Sequence, residues 1–234
     1  MNKLTSSALT ALLLGLSAGC LHAQSSCSSD GQPRPAALLE RFINADCEAC
    51  WSDSHSPQPA AGELALDWIV PAARGDDAPL SAAATRDALA RLQALRRAVP
   101  AKSDSARHQV GRGARELRVA HGLAFNGYIG TSIELKPGSG GPWQAWLLLV
   151  ETIPAGSEGT PVARNLVRNA LQPAWDGGYA LSKQELQRLF ESRPMSIPEG
   201  AKPARLRVVG WVEDARGRIR AIAQSRCQAP GPKG

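Results

Sequence analysis

Ala36-Ala37-Leu38-Leu39-Glu40-Arg41-Phe42-Ile43 runs into Asn44-Ala45-Asp46-Cys47-Glu48-Ala49-Cys50, and this stretch decides how the chain is read. A short apolar run bounded by a turn predicts a buried strand. The strand delivers two cysteines, three residues apart, to its C-terminal end. Cysteines at that spacing close a small disulfide ring with little chain rearrangement. That suits reversible dithiol exchange, and it equally suits metal ligation or a structural staple.

Toward the N-terminus, Lys3 supplies a positive start, residues 8–18 form an apolar stretch, and Leu21-His22-Ala23 offers a small-residue cleavage site before Gln24. Residues 1–23 are therefore predicted to be a signal peptide, residues 24–35 a short N-terminal segment, and the mature protein periplasmic or secreted. Leu16-Ser17-Ala18-Gly19-Cys20 gives the alternative, a lipoprotein-type cleavage box with a lipid anchor at Cys20, although Ser17 stands where a larger aliphatic residue is usual. No transmembrane segment is expected. A spanning helix needs about 20 apolar residues, and the strongest later stretch, 143–150, is far shorter.

The chain has five cysteines, and either cleavage leaves Cys27, Cys47, Cys50 and Cys227 in the main body of the protein. An even number in an exported protein favours full pairing. The short loop favours Cys47 with Cys50, which leaves Cys27 with Cys227 as a clamp between the two ends of the mature chain.

The 234 residues carry 27 basic and 21 acidic side chains, a net charge of +6, with 43% hydrophobic residues. This is ordinary globular composition and argues against a disordered or fibrous chain. Basic charge can draw a protein to nucleic acid, but here the charges are scattered and aromatic residues are few. The run Arg107-His108-Gln109-Val110-Gly111-Arg112-Gly113-Ala114-Arg115 reads as a solvated linker, so no nucleic-acid partner is expected.

After the cysteines, Pro57 and Pro59 sit in a Ser- and Ala-rich stretch that is poor material for a long helix. Residues 64–70 read as a second buried strand. Residues 81–99 read as an amphipathic helix with Leu89, Leu92, Leu95 and Val99 on one face, stopped by Pro100. From Leu117 onward the apolar period becomes two: Leu117, Val119, His121 and Leu123 alternate with positions expected to be exposed, Asn126-Gly127 is a hairpin signal, and 129–135 is the return strand. Further strands are predicted at 143–153, 205–213 and 219–226, with a turn at 138–142. Ser182-Lys183-Gln184-Glu185 is a capping box predicted to open a helix to about Ser192, ended by Pro194. The expected class is α+β: a small α/β unit over 36–100, a basic linker over 101–115, a β-rich antiparallel domain over 116–228 and a disordered tail over 229–234.

Two segments carry a resemblance. Leu39-Glu40-Arg41-Phe42-Ile43-Asn44-Ala45-Asp46-Cys47-Glu48-Ala49-Cys50 resembles the opening strand and cysteine motif of a family of exported bacterial thioredoxin-like proteins of unknown function, which there reads Glu-Leu-Phe-Thr-Ser-x-Gly-Cys-Ser-Ser-Cys-Pro-Pro. Val162-Ala163-Arg164-Asn165-Leu166-Val167-Arg168, followed at a short distance by Trp175-Asp176-Gly177, is similar to a later segment of that family. The resemblance implies that 36–100 is a shortened thioredoxin-like unit with a thiol-disulfide role through Cys47 and Cys50, acting on a protein thiol or disulfide. Trp51-Ser52 replaces the family's Pro-Pro, and no proline lies between Pro100 and Pro137 to supply the cis-proline that thioredoxin-like folds place beside their disulfide.

In a redox reading, Cys47 at the strand end is the attacking thiol and Cys50 resolves the mixed disulfide. Asp46, Glu48 and Asp53 oppose thiolate formation, and only Arg41 and His55 lie near in sequence to offset them. The alternative function is a non-catalytic envelope-binding or structural module with two structural disulfides. A further alternative is copper or zinc held by Cys47, Cys50 and His55, with Asp53 or His121 as a fourth ligand. No organic cofactor is expected, since the chain has no phosphate-binding glycine loop, and neither a serine nucleophile elbow nor a zinc-protease helix is present. Trp143, Trp175 and Trp211 are read as core.

Overall fold

The computed structural model describes residues 27–111, 116–136, 141–173, 175 and 189–227. The predicted leader, Cys20, the 182–185 capping box, the 138–140 turn and the C-terminal tail lie outside the described residues.

The first strand pair forms as expected. β2 (Ala37–Asn44) pairs in parallel with β3 (Glu63–Val70), with Leu38 opposite Leu64 and Phe42 opposite Trp68. Between them α1 (Glu48–Trp51) is a single turn. The expected long helix is real only as α2 (Arg86–Ala94), capped by the Thr85 side chain accepting from the Ala88 amide at 3.3 Å. It ends before Pro100 because Arg96 adopts a left-handed conformation, φ 55°. The Arg97 amide then reaches back to the Leu92 carbonyl and the Arg96 amide to Gln93, both at 2.9 Å, a Schellman arrangement.

The α+β expectation does not hold. The protein is predominantly β, built on two sheets, with helix confined among the described residues to α1, α2 and short 3-10 turns. The remaining strands are β1 (Cys27–Ser28), β4 (Ser103–Gln109), β5 (Glu116–Phe125), β6 (Tyr128–Lys136), β7 (Gln144–Ile153), β8 (Arg164–Leu171), β9 (Leu189–Ser196), β10 (Leu206–Glu213), β11 (Ile219–Gln224) and β12 (Arg226–Cys227). The larger sheet runs β11-β10-β7-β8-β3-β2-β4 and the smaller β12-β1-β5-β6-β9. Strands from both halves of the chain therefore share one sheet, which is why a separate thioredoxin-like unit is not present. β4 lies within the stretch expected to be a linker and pairs antiparallel with β2. β9 stands where the capped helix was expected to end; its Pro194 is tolerated because β9 is an edge strand of the smaller sheet.

Both faces of the larger sheet are buried. On one, Phe42, Trp68, Trp146 and Trp211 form a row in which Trp146 stacks on Trp211 at 5.6 Å, and α2 covers it with Ala88 and Leu92. On the other, Leu147, Leu149, Val208 and Val212 meet Val119, Ile133 and Leu135 of the smaller sheet. Gly210 lets the layers close, since a Cβ there would stand 2.7 Å from Val119 Cγ1. The β5–β6 turn is as predicted: Asn126 and Gly127 both have positive φ, the geometry that continues the natural strand twist. No described helix is long and apolar enough to cross a membrane.

Candidate functional site

Both predicted cysteine pairs are closed. Cys47 and Cys50 are bonded at 1.99 Å with Cα atoms 5.3 Å apart, and Cys27 and Cys227 at 2.02 Å across a sequence separation of 200. The Cys47–Cys50 ring stands at the C-terminal end of β2, where the chain leaves the parallel strand and α1 turns back. Both cysteines are half-buried while Glu48 and Ala49 between them are exposed.

What holds this ring is a buried ionic cluster behind it. Asp67, in the middle of apolar β3, receives Arg41 from β2 at 2.7 Å and Arg164 from β8 at 3.1 Å, and accepts from the Asn165 amide at 2.8 Å. A carboxylate inside an apolar strand needs such partners, because an unpaired buried charge costs far more than a satisfied one. Arg164 then works on the ring itself. Its Nη2 donates to the Trp51 carbonyl at 2.8 Å, to Ser56 Oγ at 2.8 Å and more distantly to the Cys50 carbonyl at 3.4 Å, and its guanidinium lies 5.2 Å from the Trp51 ring centroid. Trp51 donates its indole N–H to the Glu158 carbonyl at 2.7 Å. Burial pulls the Arg164 guanidinium below its ordinary value, Asp67 opposes that shift, and Arg41 adds to it.

Two guanidinium groups thus share one carboxylate beneath Cys50. Cys50 forms part of the wall of a cleft of about 280 Å³, together with the buried Arg41, Arg164 and Ser56 and with Asp53. Of the acidic residues flanking the pair in sequence, Asp53 is close enough to favour the charged Arg164 guanidinium. Next to Cys47 in sequence, Asp46 Oδ1 is buried without a hydrogen-bond partner.

The predicted metal set does not assemble. The His55 side chain is 93% exposed and stands beside Asp53 at 3.4 Å, not with the cysteines. His121 lies in another sheet, opposite Cys27 on β5. Among the described residues, the three-ligand group that the structure brings together is Cys27, His121 and Cys227. Trp143, Trp175 and Trp211 are buried, as core readings require.

The pairing of Asp67 with Arg164 is not visible in the sequence. The available signal for Asp67 was a carboxylate within Leu64-Ala65-Leu66-Asp67-Trp68-Ile69-Val70, a run otherwise fit to be buried on both faces. Arg164, 97 residues away, had no local signal of its own.

A comparison with protein-family models, curated proteins and solved structures gave no match.

Proposed function

We propose that the protein is an exported thiol-disulfide exchange protein whose Cys47–Cys50 disulfide is the exchanging group, with a protein thiol or disulfide as its substrate. The observation that carries this reading is the placement of the ring: half-exposed at a strand end, with Cys50 on a cleft wall beside two arginines that share one carboxylate. An incoming thiolate attacks Sγ of Cys47, the bond to Cys50 breaks, and Cys50 leaves as a thiolate whose negative charge faces the Arg41 and Arg164 side of the site. A second thiol of the substrate then releases Cys47, so the substrate loses two electrons and two protons and the pair gains them. In reverse, the Cys47 thiolate attacks a substrate disulfide and Cys50 resolves the intermediate. The two sequence segments, in their shared order, support placing the chain with the exported family they resemble.

A second reading, a binding module in which both disulfides are staples, is favoured by the anchoring of the ring through Arg164 and Trp51. Equilibration in graded glutathione buffers, with alkylated thiols mapped by mass, separates the two. A Cys47–Cys50 potential between about −120 and −270 mV is expected of an exchanging pair. Resistance to reduction below about −300 mV would leave the staple reading.

A further inference from the structure

The second disulfide is not an isolated clamp. Three adjacent strands place Cys227, Cys27 and His121 in one row: Cys27 pairs with Cys227 across β1–β12 and with His121 across β1–β5. One nitrogen of the His121 ring and the two cysteine sulfurs lie within 4.8 Å of one another. His121 is 4% exposed. Its Nδ1 stands 2.8 Å from the Gly122 carbonyl, and a carbonyl only accepts, so Nδ1 carries the proton and Nε2 presents a lone pair. That Nε2 is buried and has no hydrogen-bond partner. A carbonyl that holds the proton of one ring nitrogen, so that the other can ligate, is the usual support of a metal-binding histidine.

We propose that Cys27, Cys227 and His121 form a redox-gated zinc site, closed as a disulfide when oxidised and occupied by one zinc ion when reduced. Cys227 is exposed and Cys27 is buried, so a reducing dithiol reaches the outer sulfur. Its first thiolate attacks Sγ of Cys227, the disulfide bond breaks, and Cys27 leaves and takes up a proton. Its second thiol displaces Cys227 and closes the reductant's own disulfide. The chain has gained two electrons and two protons, and zinc then displaces both thiol protons to form two Zn–S bonds and one Zn–N bond. At tetrahedral angles, bonds of roughly 2.3 and 2.0 Å hold the ligand atoms about 3.5 to 3.8 Å apart, within the spread that the three strands already impose. The fourth position opens on the exposed side of Cys227 and takes water. Either state joins the two ends of the described chain, so reduction exchanges one clamp for another.

Burial lowers the basicity of His121, against the smaller opposing effect of its contact with Gly122, which keeps the imidazole neutral and able to ligate. This reading stands apart from the role of Cys47 and Cys50, and the test keeps them apart. The whole chain is reduced with a phosphine under argon and titrated with zinc against a chromophoric chelator. Thiols are then alkylated and mapped by mass, and circular dichroism is recorded with and without zinc. The expected result is one zinc per reduced chain and none per oxidised chain, with Cys27 and Cys227 shielded from alkylation and Cys47 and Cys50 not. Cobalt substitution should give thiolate charge-transfer and tetrahedral d–d bands. In His121→Ala, whose oxidised form retains the disulfide, zinc affinity should fall by at least the roughly 10- to 100-fold that loss of an outer-shell partner costs. The proposal is overturned by absence of binding, by shielding of Cys47 and Cys50 instead, by unchanged affinity in His121→Ala, or by a reduced chain that loses its structure and does not regain it with zinc.

Discussion

Arg164 meets Asp67 at 3.1 Å with neither side chain exposed, and the same guanidinium donates to the Trp51 carbonyl next to the disulfide ring. One residue on β8 therefore neutralises a charge inside β3 and fixes the first turn after β2. Arg164→Met should destabilise the protein by about 1 to 3 kcal/mol, because Asp67 keeps Arg41 and the Asn165 amide while the buried Thr160, Ser56 and Trp51 acceptors lose their donor. Arg164→Lys should recover little, because one ammonium cannot reach Asp67, Thr160, Ser56 and the Trp51 carbonyl together, all of which Arg164 contacts. Urea unfolding of the oxidised proteins measures both. A loss below about 1 kcal/mol in Arg164→Met would show that the remaining Arg41–Asp67 pair carries the cluster alone.

The two disulfides should differ in what they contribute. In the chain-entropy description, closing a loop with a sequence separation of 200 is worth about 5 kcal/mol, and closing one with a separation of 3 about 2 kcal/mol. Unfolding of Cys27→Ser/Cys227→Ser and Cys47→Ser/Cys50→Ser double variants should follow that order. Equal losses would mean that strand pairing within β12-β1-β5 already holds the ends together without the bond.

These relationships were unevenly legible in the sequence. Strands β2, β3, β5, β6, β7, β10 and β11 announced themselves because each presents at least one apolar face. β4 did not: Ser-Asp-Ser-Ala-Arg-His-Gln is a polar edge strand whose stability comes from its ladder with β2, and local periodicity cannot report a partner. β8 hides its burial in Arg164 and Arg168, which are inside only because Asp67 and Glu151 are there to receive them. The cysteine pairs were readable from parity and spacing alone. The ionic floor of the ring was not, since it joins residues from three strands, and the resemblance to a thioredoxin-like unit overlooked that β7, β8, β10 and β11 extend the same sheet.

Gly210 tests how closely the two sheets must approach. A methyl group at this position would lie 2.7 Å from Val119 Cγ1, 3.0 Å from Ile133 Cδ1 and 3.2 Å from the Trp146 carbonyl oxygen. Ile133 can rotate its terminal carbon away, but Val119 is short and the carbonyl belongs to the β7–β10 ladder. Gly210→Ala should therefore cost about 1 to 3 kcal/mol through overpacking. Gly210→Ala combined with Val119→Ala should be less destabilised than the sum of the two single variants, since the second substitution removes the methyl that the first strikes. Strict additivity in thermal or urea unfolding would place the strain elsewhere.

Beneath α2 lies a second ionic centre, and its Glu40 should make stability fall in acid. Arg91 forks onto Glu40 at 2.8 Å and reaches Glu213 at 2.7 Å, with its guanidinium 4.9 Å from the Trp211 ring centroid. Trp68 and Trp211 donate their indole N–H groups to Glu40 and Glu213. Burial pushes the Glu40 carboxyl up, but Arg91 and His108 outweigh it and hold the group at about 2, below its ordinary 4.5. The unfolded chain therefore binds this proton more readily than the folded one between those values. The stability that Glu40 contributes is complete above pH 4.5 and drains away as pH falls toward 2, by on the order of 3 kcal/mol. Urea unfolding from pH 5 to pH 2.5 should show that decline in the wild type. Glu40→Gln should start less stable, with Arg91 keeping only Glu213, and fall more gently over the same range. Parallel curves for the two proteins would mean that the acid sensitivity comes from other carboxylates.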